Sequence, residues 1–97
     1  QSRNYDGADT VLTALSRMRN QDPMVWYRLA EVRGLAGNIS GLHQARAEYF
    51  ILIGVFDKAR EQLGLAARMV KEDFKQSAII RQRLRDLAAM EDRAERL

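Results

Sequence analysis

The chain of 97 residues has no cysteine and a single histidine. Without thiols there is no disulfide framework and no thiolate metal site. A reducing cytosol and an oxidising periplasm both tolerate such a chain, so cysteine usage leaves the compartment open. A zinc-binding helix of the HExxH kind needs two imidazoles one turn apart and a carboxylate beside the first. His43 stands in the run His43-Gln44-Ala45-Arg46-Ala47, which supplies neither. It reads as a residue at the solvent edge of a helix. Nucleophilic catalysis needs a base beside a serine, threonine or cysteine, and no such set is found. There is no glycine-rich phosphate loop, and nothing in the pattern indicates the burial that paired-carboxylate chemistry on Glu31 and Glu48 would require. The chain itself is therefore expected to have no catalytic residue, no metal site and no cofactor, and not to be an enzyme.

Long apolar runs are also missing. None reaches the roughly 18 residues of a membrane span, and no basic segment followed by an apolar one marks a signal peptide. One proline, six glycines and few β-branched runs favour an all-helical chain. At 46% hydrophobic and 30% charged it can bury a modest core and is not disordered by composition. Sixteen basic and 13 acidic residues give a net charge of +3, but the two signs are interspersed along the chain. Arg81, Arg83 and Arg85 do not make a nucleic-acid stripe. At about 100° per residue Arg83 lies roughly 200° from Arg81, and Asp86 is placed to pair with Arg83. A charged outer helix face is expected there, with no nucleic acid as partner.

What the sequence does have is a pattern of small residues between residues 37 and 66. Ala47 is followed at +3 by Phe50, at +7 by Gly54, at +12 by Ala59, at +16 by Leu63 and at +19 by Ala66. That is the spacing of a tetratricopeptide (TPR) helix–turn–helix unit. The small residues let two helices approach closely, Phe50 and Leu63 fill the space beside them, and Gly54 permits the reversal. One such unit cannot bury its own apolar face, so neighbours must stack on it.

Around this stretch the periodicity predicts five helices in antiparallel succession. Residues 1–7 read as a polar, flexible lead-in, and residues 8–97 as one TPR-like domain, an all-α right-handed solenoid. The first helix runs from Ala8 to Asn20 on Ala8, Val11, Leu12, Leu15 and Met18. Asp22 caps the second, with Pro23 at its first position, where the missing N–H costs nothing. That helix carries Val25, Leu29, Val32 and Ala36 on one stripe, with Trp26 and Ala30 beside it, and ends at Gly37-Asn38. Ser40 is expected to cap a third helix from Gly41 to Ile53. The fourth spans Phe56 to Val70. Asp73 and Gln76 open a last one, Phe74 to about Arg93, with Phe74, Ile80, Leu84, Leu87 and Ala88 inward.

Trp26, Leu29, Ala30 and Gly37 also look like the first helix of a unit. Gly37 and Gly54 are only 17 residues apart, half of the TPR period of about 34. Both phases cannot hold in a strict array, so the concave face is not assigned by spacing. Trp26, Tyr49 and Phe50 read as packing residues between helices. Tyr27, Glu31, Gln44 and Glu48, which lie off the apolar stripes, are the candidates for a binding groove.

Three runs carry a more specific likeness: Trp26-Tyr27-Arg28-Leu29-Ala30-Glu31, Gln44-Ala45-Arg46-Ala47-Glu48-Tyr49, and Gly54-Val55-Phe56-Asp57-Lys58-Ala59. Phe74 to Ala78 and Arg83 to Leu87 continue it in order. From Val25 to about Leu87 the chain resembles the C-terminal TPR domain of the BepA-type periplasmic zinc metallopeptidases, which maintain β-barrel assembly at the outer membrane. The resemblance implies that the chain is the C-terminal part of a longer protein whose zinc and catalytic residues lie elsewhere. It implies a periplasmic location and a chaperone-like recruiting role. The implied partners are the outer-membrane β-barrel assembly machinery, misassembled outer-membrane proteins and the parent's own protease domain. The alternative is a stand-alone cytoplasmic TPR adaptor that binds a peptide or protein.

Overall fold

The computed structural model describes residues 2–96. They form five α-helices and, among the described residues, no strand: α1 Ser2–Met18, α2 Pro23–Leu35, α3 Ile39–Leu52, α4 Phe56–Met69 and α5 Phe74–Glu95. Each helix packs chiefly on its neighbour in sequence, α1 on α2 through to α4 on α5. The body is accordingly elongated, with extents of 47 × 31 × 18 Å.

The helix boundaries follow local chemistry. The Asp22 carboxylate accepts from the backbone N–H of Met24, and Pro23 opens α2. Asp73 accepts from Gln76 N–H in the same way at the start of α5. Gly37 and Gly54 have φ of 84° and 79°, the left-handed region that L side chains avoid. Each sits just past a helix C-terminus and closes the same pair of bonds. Gly37 N–H donates to Gly34 O and Asn38 N–H to Arg33 O; Gly54 N–H donates to Ile51 O and Val55 N–H to Phe50 O. These are Schellman turns, which satisfy carbonyls that the helix end would leave open. The α2–α3 and α3–α4 reversals are thus built alike.

Several expectations are corrected. Residues 2–7 are not a lead-in but the first turns of α1, where Tyr5 is half-buried on the same face as Ala8, Asp9 and Leu12. Residue 1 lies outside the described residues. Val11 and Met18 point outward, at 65% and 81% exposure, because α1 is an end helix with α2 as its main neighbour. Ser16 is buried instead and bonds Thr13 O. Asn38, not Ser40, caps α3, accepting from Gly41 N–H; Ser40 lies within the helix and accepts from Gln44 Nε2. On α5, Ile80 and Leu87 are buried and Leu84 partly so. Phe74 is 83% exposed and Ala88 is exposed, since α3 and α4 cover only part of so wide a stripe.

The core has two clusters. Ala47, Ala59, Leu63, Ala66, Ile80 and Leu87 join α3, α4 and α5, with Phe50 and Leu84 packed against them. Leu29, Ala30 and Ala45 join α2 to α3, beside Leu12 and Trp26. Ala45, Ala47, Ala59 and Ala66 have no exposed surface at all, so the helices meet at close range. Gly41 and Gly34 extend this closeness between α2 and α3, since a Cβ at Gly41 would strike Arg33 of α2 as well as its own cap Asn38, and one at Gly34 would strike Leu42. Leu63→Ala is expected to cost about 2–5 kcal/mol. Phe74→Ser is expected to change stability by no more than about 0.5 kcal/mol. Urea denaturation of both variants checks the assignment of inside and outside.

Candidate functional site

Helix α3 lies between α2 and α4 and also meets α5, so its four sides face four surroundings. At about 100° per residue, Ala45 and Ala47 fall on opposite flanks. The first packs on Leu29 and Ala30, the second on Ala59 and Leu63. Gln44 and Glu48 fall within about 40° of each other on a third side. Arg46, Tyr49 and Phe50 occupy the side opposite to it.

Gln44 and Glu48 face α5. With Leu63, Ile79, Ile80, Gln82, Arg83 and Asp86 they line a cleft of about 350 Å³. Gln44 shares this cleft with Ile79 and Glu48 is bonded to Arg83, the order expected of α3 and α5 running in the same direction. Arg83 donates from Nε to Glu48 Oε2 and from Nη2 to Glu48 Oε1, both at 2.7 Å, and from Nη1 to Asp86 Oδ2 at 3.2 Å. This bidentate geometry is the strong form of an ion pair. The hydrogen bonds to Glu48 hold the guanidinium above its usual range against the opposing effect of burial. The Asp86 carboxyl is held below its usual range, first by Gln82 Nε2 and then by Arg83. A depressed carboxyl stabilises the fold above its unfolded value and loses that contribution as pH falls through the folded one.

A second, more polar cleft of about 590 Å³ adjoins the first. It draws Arg17 from α1, Arg33 from α2, Ser40, Gly41 and Gln44 from α3, and Gln76 and Ile79 from α5. Arg33 holds its wall together, donating to Asp9 Oδ2 at 3.3 Å, to Thr13 Oγ1 at 3.2 Å and to Gly41 O at 3.4 Å. Gln44 and Ile79 line both clefts, which adjoin along α3 and α5, the second polar beside Arg17 and Arg33 and the first mainly apolar beside Leu63 and Ile80.

Tyr27 and Glu31 are elsewhere. They line a separate cleft of about 240 Å³ with Ala30, Arg46, Tyr49 and Phe50, on the other side of α3. The four residues predicted to share a groove therefore divide between two faces. Both oxygens of Glu48 are already engaged by Arg83. Residue spacing gave no signal for this pair or for Arg33–Asp9, since their members are 35 and 24 positions apart. Arg83, placed on an outer face by its pairing with Asp86, in fact reaches inward to α3. His43 is half-buried, with Nδ1 at 2.7 Å from Gln62 Oε1, and ties α3 to α4 rather than standing at a solvent edge. Trp26 is half-buried and its Nε1 donates to Asn20 O.

Among the described residues no three histidine, cysteine, aspartate or glutamate side chains are grouped as metal ligands, and no helix is long and apolar enough to cross a membrane. The chemistry available on both sides of α3 is recognition through side-chain amides, guanidinium groups and aromatic rings. In comparisons with protein-family models, curated proteins and solved structures, no match to this chain was found.

Proposed function

We propose that this chain is a protein-interaction domain of the TPR type, carried by a periplasmic zinc metallopeptidase of the BepA type. It recruits the outer-membrane β-barrel assembly machinery, or incompletely assembled barrel proteins, to its parent's protease domain. The observation that carries this reading is the polar cleft to which α1, α3 and α5 contribute Arg17, Gln44 and Gln76, with Arg33 of α2 in its wall. In a helical solenoid, alternate helices line one face and their partners lie behind them. On this reading α3 and α4 form one repeat, with Ala47, Phe50, Ala59, Leu63 and Ala66 as its signature. Helices α1 and α2 form the repeat before it, and α5 caps the stack. The half-period ambiguity then falls in favour of α3 as a first helix, and Trp26 belongs to a second one.

The mechanism is non-catalytic. Side-chain amides such as Gln44 and Gln76 pair with the backbone of an extended segment, and Arg17 adds attraction for carboxylates. Zinc chemistry belongs to the parent's catalytic domain, and no residue of this chain is assigned to the metal. The test is the intact mass of the native gene product together with its zinc content. A mass several times 11.1 kDa with one zinc per chain is expected. A mass near 11.1 kDa without zinc leaves the stand-alone adaptor and removes the protease connection.

A further inference from the structure

The side of α3 turned away from the polar cleft carries a site of a different kind. Tyr49 packs edge-to-face on Tyr27 of α2, centroids 5.5 Å apart, and on Phe50 at 5.4 Å. Edge-to-face contact fixes the three rings relative to one another. Ala30, only 4% exposed and too small to fill the space, leaves a cleft of about 240 Å³ beside them. The volume suits a small group. It is below the roughly 300 Å³ at which small-molecule pockets begin. It exceeds the roughly 150 Å³ in which an engineered apolar cavity holds benzene. One large aromatic side chain is the matching size.

The rim adds charge. Arg46 lines the cleft, and Lys58 Nζ lies 6.0 Å from the centroid of Phe50. In the lining itself Arg46 stands with one carboxylate, Glu31, while Lys58 lies outside the lining beside the Phe50 ring. Among the described residues neither Arg46 nor Glu31 belongs to any salt bridge. Both are exposed and available. With Arg46 in the lining and Lys58 beside a lining ring, cations outnumber the one carboxylate near the slot, and a carboxylate beside the inserted aromatic group suits that balance.

We propose that this cleft binds a peptide segment of a partner protein in which a large aromatic residue stands next to an acidic one. The ring enters among Tyr27, Tyr49 and Phe50. The acidic side chain meets Arg46, and Glu31 accepts from the peptide backbone. Glu31 also sets the site against single-stranded nucleic acid, whose stacking bases bring phosphates with them. The site is independent of the polar cleft between α1, α3 and α5 and does not rest on the function proposed for it.

The test is an amide-resolved NMR titration of the 97-residue chain with acetyl-Asp-Phe-amide, acetyl-Lys-Phe-amide and tetrathymidylate. The acidic peptide is expected to shift Tyr27, Glu31, Arg46 and Tyr49 while leaving Gln76 and Ile79 unmoved. It should bind about fivefold more tightly than the lysine peptide, the scale of one exposed charge pair. Arg46→Glu should reverse that order. Tyr27→Ala, at a position 52% exposed, should weaken both peptides about tenfold without unfolding the chain. The absence of saturable shifts, equal binding of the two peptides, shifts centred on Gln76, or tighter binding of tetrathymidylate at this cleft would each overturn the proposal.

Discussion

Ala47→Arg is expected to abolish the native fold or to lower its stability by more than about 4 kcal/mol, the range reached by unpaired charges in a packed core. Ala47 has no exposed surface and lies among Ala59, Leu63, Ala66, Ile80 and Leu87. An arginine there must either bury its guanidinium without a partner or push α3 away from α4, and both lose the close contact that joins three helices. At about 4–8 °C per kcal/mol for a domain of this size, the melting temperature falls by well over 15 °C. Ala47→Gly provides the control. It keeps the close approach and costs only about 1 kcal/mol of helix propensity. Circular dichroism on heating separates the two, and equal melting of Ala47→Arg and the parent chain would show that α3 and α4 do not meet through this residue.

The second large effect is at Glu48. Read as an off-stripe residue facing a groove, it is a position where Glu48→Lys leaves folding intact. The structure reverses that expectation, because the substitution removes the two Glu48 acceptors of Arg83, leaves it only Asp86, and sets an ammonium against its guanidinium. The two side chains are 19% and 31% exposed, between the surface and buried limits for ion pairs. The loss is accordingly expected at about 1–3 kcal/mol, above the 0.2–1 of exposed pairs and below the 3–5 of fully buried ones. A double-mutant cycle with Glu48→Arg and Arg83→Glu measures it. Each single variant should melt well below the parent, and the exchanged pair should recover part of the difference, since Asp86 then faces a carboxylate at position 83. Additive losses would mean that the fork is not formed in solution. The result bears on binding as well, since a paired Glu48 leaves Gln44, Arg17 and Gln76 as the groups that a partner in the polar cleft meets.

How far each expectation succeeded follows from the range of the interaction behind it. The starts of α2 and α5 were legible because Asp22 and Asp73 bond N–H groups two or three residues away. The ends of α2 and α3 were legible because only glycine enters the left-handed region cheaply at Gly37 and Gly54. Asn38 displaced Ser40 as a cap since both side chains could accept, and the backbone reversal at Gly37 brought Asn38 to the first turn. The stripes of α1 and α5 were read correctly as apolar but not as inside or outside. Val11, Met18 and Phe74 have the right period, yet period says nothing about whether another helix lies over them.

The sequence by itself determined an all-helical chain of five segments, their turns, and the small residues Ala47, Ala59 and Ala66 that allow close packing. Those features rest on bonds and steric preferences within one or two helical turns. Only the tertiary structure decided that Tyr27 and Glu31 share a cleft with Arg46 while Gln44 and Glu48 face α5. It alone joined Glu48 to Arg83 and Asp9 to Arg33. The physical reason is that α3 is surrounded, so residues one or two positions apart on it point into different environments. Which environment each one meets is set by helices far away in the chain.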